Sequence, residues 1–172
     1  MTQYVALLRA VNVGGTGKLT MNALRTLCEA AKFTCVSTYI QSGNVVFQSS
    51  LSAANVTKQL AGALGLHMGK PVGVLVRTAT EMATIAANNP FPEAAPNQVL
   101  VFFTPKIVAA ADLRAVSIAG REEVRAIGRE VYVHYPDGQG RSKLKLPMAD
   151  TGTARNMNTV SKLLAMVQLL SE

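Results

Sequence analysis

Apolar and polar positions along this chain switch between the two-residue period of strands and the longer period of helices. Residues 3 to 11 form an apolar run of strand length holding one cation, Arg9, and read as a buried strand. Thr20 then stands as a helix N-cap, followed by Met21, Leu24, Leu27, Cys28 and Ala31 at helical spacing. Val36 to Ile40 and Val45 to Gln48 read as strands joined by Gln41-Ser42-Gly43-Asn44, a hairpin signal. Ser52 to Leu64 is a second helix with Val56, Leu60, Ala63 and Leu64 on one face. Val72 to Val76 is a fourth strand and Thr80 to Ala87 a short helix, ended by the breaker Asn88-Asn89-Pro90-Phe91-Pro92.

That order is βαββαβ with an extra helix, the ferredoxin-like order. After Pro96 it partly repeats. Val99 to Phe103 reads as a strand and Ala109 to Val116 as a helix. Glu123 to Ile127 and Val131 to Tyr135 form a hairpin about Gly128-Arg129. A basic segment and a helix from Thr159 to Leu170 follow. The expected fold is α+β, with two ferredoxin-like halves packed together. Residues 1–92 form the half with the extra helix, and residues 93–172 form a second half with a C-terminal helix. The repeat is one of element order, since the two halves share negligible sequence similarity.

In a βαββαβ unit the end of the first strand, the turn between the second and third, and the loop before the fourth lie along one sheet edge. Asn12 to Lys18, Gln41 to Asn44, and His67 to Lys70 are therefore expected to converge. They bring amides, a hydroxyl, an imidazole and two lysines without a carboxylate, a composition suited to an anion. The loop Val13-Gly14-Gly15-Thr16-Gly17-Lys18 can also expose backbone N–H groups beside a helix N-terminus. It is not a Walker A loop. The first glycine position of that motif falls on Asn12, and Leu19 stands where a hydroxyl must hold magnesium. The dinucleotide pattern fails too, because Thr20 takes the place of its third glycine.

Charge sharpens this picture. Of 172 residues 49% are apolar and 16% charged, which describes a folded chain, and the net charge is +7. Between residues 1 and 80 stand Arg9, Lys18, Arg25, Lys32, Lys58, Lys70 and Arg77 against a single acid, Glu29. A surface so short of carboxylates favours anionic partners. No signal peptide or apolar run of membrane-spanning length is evident, and Cys28 and Cys35 are too few for a disulfide scaffold. A reduced, cytoplasmic protein with no membrane partner is expected.

Several chemistries lack their residues. No C-x-x-C or H-x-x-x-H is present, and Asp112, Asp137 and Asp150 are scattered, so no metal and no cofactor is expected. Glu122 and Glu123 are adjacent and read as facing opposite ways on a strand. His67 and His134 are the chain's two histidines. His134 alternates with strand residues and reads as a packed or surface side chain, leaving His67 as the better candidate base. Stacking recognition of RNA is poorly served by a third strand carrying one aromatic, Phe47. A second basic cluster, Arg141, Lys143 and Lys145, is followed by Arg155 and Lys162. Gly138-Gln139-Gly140 before it can expose amides beside Arg141, Ser142 and Lys143, and Asn156 or Asn158 stands at the start of the final helix. Asparagine there reads as a cap. Arg155 does not, since a cation opposes the helix dipole unless an anion lies between them.

Five segments carry a family likeness. They are Leu7 to Gly15, Thr38 to Phe47 (TYIQSGNVVF), Asn89-Pro90-Phe91, Gly140 to Leu144 (GRSKL), and Thr153-Ala154-Arg155-Asn156. In this order they resemble the DUF1697 family of small bacterial proteins, and the match spans nearly the whole chain. Ala10 stands where that family usually has glycine, and Met157 where it usually has tryptophan. The resemblance implies a fold related to ferredoxin-like units and supplies no reaction.

The functional expectation is a binding protein for an anionic ligand, a nucleotide or nucleic-acid phosphate. Its site residues are Arg9, Asn12, Gly14, Gly15, Lys18, Gln41, Ser42 and Asn44. Arg141, Ser142, Lys143, Arg155 and Asn156 are expected to face the same ligand across a cleft between the halves. The alternatives are an enzyme acting on a phosphorylated or carboxylated small molecule, with His67 or a lysine as base, and a structural or interaction module.

Overall fold

The computed structural model describes residues 1–9, 19–39 and 43–170. Among them the chain forms a mixed α/β structure with two four-stranded antiparallel sheets and five α-helices. It divides into two compact units, Met1–Ala83 with Lys162–Glu172, and Thr84–Ser161. The second unit therefore begins inside one helix and ends inside another.

In the first unit β1 (Thr2–Arg9) is followed by α1 (Met21–Ala30), β2 (Thr34–Tyr39), β3 (Asn44–Ser49), α2 (Ala53–Met68) and β4 (Gly73–Thr78). The strands lie in the order β2-β3-β1-β4. Tyr4 to Leu8 are consecutively buried, so β1 is covered on both faces, as its unbroken apolar run requires. One face joins Tyr4, Ala6, Leu8, Val45, Phe47, Val74 and Val76 to Leu24 and Cys28 of α1 and Val56, Leu60 and Leu64 of α2. Both helices start on hydroxyl caps. Thr20 Oγ1 accepts from the Ala23 N–H at 3.0 Å, and Ser52 Oγ from the Asn55 N–H at 3.3 Å. The second helix runs four residues beyond the expected Leu64, to Met68. His67 consequently stands on the last helical turn, exposed, and not in the following loop.

The helix α3 (Ala79–Ala87) crosses into the second unit, which continues with β5 (Val99–Phe103), α4 (Ala110–Arg114), β6 (Glu123–Ile127), β7 (Glu130–His134), β8 (Thr153–Asn156) and α5 (Met157–Leu169). Its strand order is β6-β7-β5-β8. Residues 153–156 are expected within a basic segment. These residues form β8 and begin α5 at Met157, two residues before the expected Thr159. Only four residues long, this edge strand shows too little alternation to be detected by period. Helix α4 is shorter than the expected 109–116 span, five residues held at its start by Asp112 Oδ2 accepting from the Ala109 N–H at 3.0 Å.

Both sheets place an arginine at the matching register position. Arg77 on β4 pairs with Val5 on β1, and Arg155 on β8 pairs with Val101 on β5. Each is buried, and each guanidinium donates to the carbonyl of the preceding residue.

Cys28 faces the first core, and burial, aided by the charge of Glu29, pushes its thiol up to about 12. Cys35 is exposed, and both cysteines are free. A disulfide-exchange reagent should therefore titrate one thiol in the native protein and two after unfolding; rapid reaction of both in the folded state would contradict the packing. The same shift gives a pH dependence. The folded thiol keeps its proton to about pH 12 while the unfolded one releases it near 9, so stability is level below that and falls as pH rises. Burial raises the Tyr135 hydroxyl to about 12 and adds to this loss above pH 10, whereas burial lowers Arg155 to about 10 and opposes it there. Between pH 9 and 10 the unfolding free energy should drop with a slope approaching about 1.4 kcal/mol per pH unit, and Cys28→Ala should flatten it.

Candidate functional site

The sheet register brings the end of β1 to the same edge as the β2–β3 turn and the start of β4. Leu7 pairs with Asn44, the Leu8 N–H donates to the Gly43 carbonyl at 2.8 Å, and Arg9 stands opposite Gly73. A Cβ on Gly73 would lie 3.0 Å from the Arg9 Cβ, so the absence of a side chain there lets the arginine lie across the neighbouring strand. Arg9 is half-buried and Lys70, just before β4, is exposed. Asn44 is fully buried, and its Nδ2 donates to the Tyr39 carbonyl at 2.9 Å. Its amide thus fastens the hairpin, a structural task that accounts for its place in the motif. Asn12, Gly14, Gly15, Lys18, Gln41 and Ser42 lie outside the described residues.

Among the described residues of this unit the carboxylates are Glu29 and Glu81, and both stand away from that edge. Glu29 lies near the end of α1, a helix about 15 Å long, which leads to β2 at the opposite edge, where Thr34 pairs with Gln48. Glu81 follows Thr78, the residue of β4 paired with Tyr4. The Arg9 edge is thus distant from both along the elements that carry them.

The second cluster has a different character. Arg141, Ser142 and Lys143 line a cleft of about 290 Å³ together with Glu122 and Asp137. Ser142 Oγ donates to Glu122 Oε1 at 2.6 Å, and Glu122 Oε2 accepts from the Gly120 N–H at 3.1 Å. The Ser142 hydrogen bond holds the Glu122 carboxyl below its ordinary value. Arg121 pairs with Asp137, which holds that carboxyl down as well. The expectation that Glu122 lies on a strand is corrected here, since β6 begins at Glu123 and frees Glu122 to turn to the loop. The cations of the GRSKL segment therefore share their cleft with two ionised carboxylates.

Arg155 and Asn156 do not line that cleft. The Arg155 Nη1 donates to Thr153 Oγ1 at 2.7 Å and to the Ala154 carbonyl at 2.9 Å. Asn156 Oδ1 accepts from the Thr159 N–H at 3.0 Å, which makes it the cap of α5. In the second unit the structure also assembles a group that sequence reasoning missed. Phe91 lies against His134, with ring centroids 5.6 Å apart, and the Arg125 guanidinium stands 6.0 Å from the Phe91 centroid. The available signal was Asn89-Pro90-Phe91, which the sequence offers as a helix breaker and as one of the family-like segments but not as a site. Among the described residues, no three histidine, cysteine or acidic side chains stand together as a metal site would need, and no helix is long and apolar enough to cross a membrane.

Two α/β units, one with a cationic sheet edge, describe a small protein built of antiparallel sheets. Over residues 1–132 the chain matches the model of the family described as a protein of unknown function, DUF1697, and it belongs to that family. No curated protein matches it. It is similar in structure to a conserved bacterial protein from Streptococcus pneumoniae, with a TM-score of 0.77 at 22% identity, covering 96% of this chain and 98% of that one.

Proposed function

We propose that this protein binds an anionic ligand, a nucleotide or nucleic-acid phosphate, at the sheet edge where β1 ends. The observation that carries this reading is Arg9, lying over Gly73 at an edge from which Glu29 and Glu81 are both held away. Arg9 and Lys70 would supply charge. Lys18 and the N–H groups of the Gly14-Gly15 segment would complete the cradle, with Gln41 and Ser42 orienting the ligand. The matching strand orders of the two units support reading them as two ferredoxin-like halves. Two free cysteines favour a reducing, cytoplasmic setting. Catalysis ranks second. His67 is exposed on the last turn of α2, and Glu122, whose carboxyl the Ser142 hydrogen bond holds below its ordinary value, is a weak base near neutrality.

Fluorescence polarisation with labelled nucleotides and short RNA or DNA at two salt concentrations tests the reading. Binding is expected at low salt and should weaken at high salt. Arg9→Gln and Lys18→Ala should each lower affinity about tenfold, the scale of one charge-assisted hydrogen bond. No binding to any of these probes at low salt would remove the proposal.

A further inference from the structure

We propose that Phe91, Arg125 and His134 form a stacking site for a nucleobase, with Glu93 as the acceptor for its donor edge. This site lies wholly in the second unit and is argued independently of the anion edge in the first. The chain has nine aromatic rings, four tyrosines and five phenylalanines. Seven are buried, and Phe91 and Tyr39 are the two left partly exposed. Few rings remain to meet a ligand, so the placement of Phe91 matters.

That placement is built by the backbone. Asn89 Oδ1 accepts from the Phe91 N–H at 2.9 Å, and the Phe91 carbonyl accepts from the Ala94 N–H at 3.1 Å. The two bonds hold the segment 89–94 in a tight turn. His134 lies at the end of β7, paired across the strands with Val99 and with Glu123. Arg125, two residues along β6, projects from the same face as Glu123 and approaches the Phe91 ring. The Arg125 Nη1 donates to the Val124 carbonyl at 2.9 Å, and Glu123 Oε2 lies 3.5 Å from the same guanidinium.

A cavity of about 340 Å³ opens here, lined by Pro90, Phe91, Pro92, Glu93, Ala94 and His134. Its walls are apolar apart from two polar groups. A planar, electron-rich heterocycle suits such a place, because one face can stack on phenyl or imidazole while a guanidinium lies nearby. The oxygens of the Glu93 carboxylate offer acceptors, which favours bases presenting N–H groups, and guanine presents two side by side. Stacking on a single ring is sequence-tolerant, and Glu93 supplies the preference.

The chain contains no tryptophan, so Phe91→Trp provides one fluorophore at the site. Titration with guanosine, which has no phosphate, should quench its emission saturably. Arg125→Gln and Glu93→Gln in the same background should raise the half-saturation concentration by about three- to tenfold. Quenching that stays linear in guanosine, as for free N-acetyltryptophanamide, would overturn the proposal. Equilibrium dialysis of radiolabelled guanosine against wild type and Phe91→Leu gives an independent reading. Retention should fall with the leucine, and equal retention would also overturn it. Pyrophosphate binding tested with Arg9→Gln reports on the anion edge alone, so failure of one site is distinguishable from failure of the other.

Discussion

Replacing Gly152 with alanine is expected to lower the free energy of unfolding by about 3 kcal/mol, the upper range for forcing extra volume into a packed site. The Cβ would fall 2.5 Å from the Phe103 carbonyl oxygen and 3.4 Å from the Met148 carbonyl oxygen. Both obstacles are backbone, so no rotamer change relieves the contact. Phe103 ends β5, an inner strand of its sheet, and pairs with Thr153, the residue after the glycine. Relief would therefore pull β8 away from β5 and expose the side of Arg155, now 7% accessible. Urea unfolding with far-ultraviolet circular dichroism measures the change. A loss below about 0.5 kcal/mol, the ordinary surface scale, would mean that the close approach does not exist in solution.

Phe47→Ala should cost as much or more, about 3–5 kcal/mol. Phe47 is fully buried on β3 and stacks on Phe33 at 4.4 Å between centroids and 6° between planes. Tyr4 packs beside it at 5.9 Å, its hydroxyl donating to the Leu51 carbonyl at 2.7 Å. Truncation leaves a void between two rings, one of which is tethered and cannot follow the gap inward. Phe47→Leu, which refills part of the volume, should recover more than half of the loss. Near-ultraviolet circular dichroism should weaken with the alanine, since the tyrosine loses its ordered neighbour. An alanine variant within about 1 kcal/mol of wild type would show that the cluster closes up freely.

The elements that sequence patterning located are those whose own residues show either an unbroken apolar run or a helical apolar face. The runs at β1 and β5, and the spaced apolar residues of α1 and α2, needed only their own positions to be recognised. The cap at Thr20 was equally readable, because its oxygen acts three residues away. β8 was not. Its four residues contain two polar side chains and one arginine, and its pairing partner lies some fifty residues earlier in β5. The candidate site divides the same way. Adjacency of Arg9 to the β2–β3 turn followed from strand order. Glu122 was lost because its partner, Ser142, is supplied by a distant loop. The Phe91 group was lost because Arg125 and His134 meet it only through the β6–β7 register. Asn44 shows the reverse limit, a motif residue whose amide is spent on the hairpin.

The division of the chain has a consequence for its synthesis. The first unit contains residues from both before and after the second, and Gln48 Nε2 donates to the Leu170 carbonyl. Leu163 and Val167, both fully buried, also belong to the late segment. On the ribosome, the first sheet emerges early but waits for these residues while the whole of the second unit is translated. Its nascent form is thus held incomplete, and the unit that starts first is finished last.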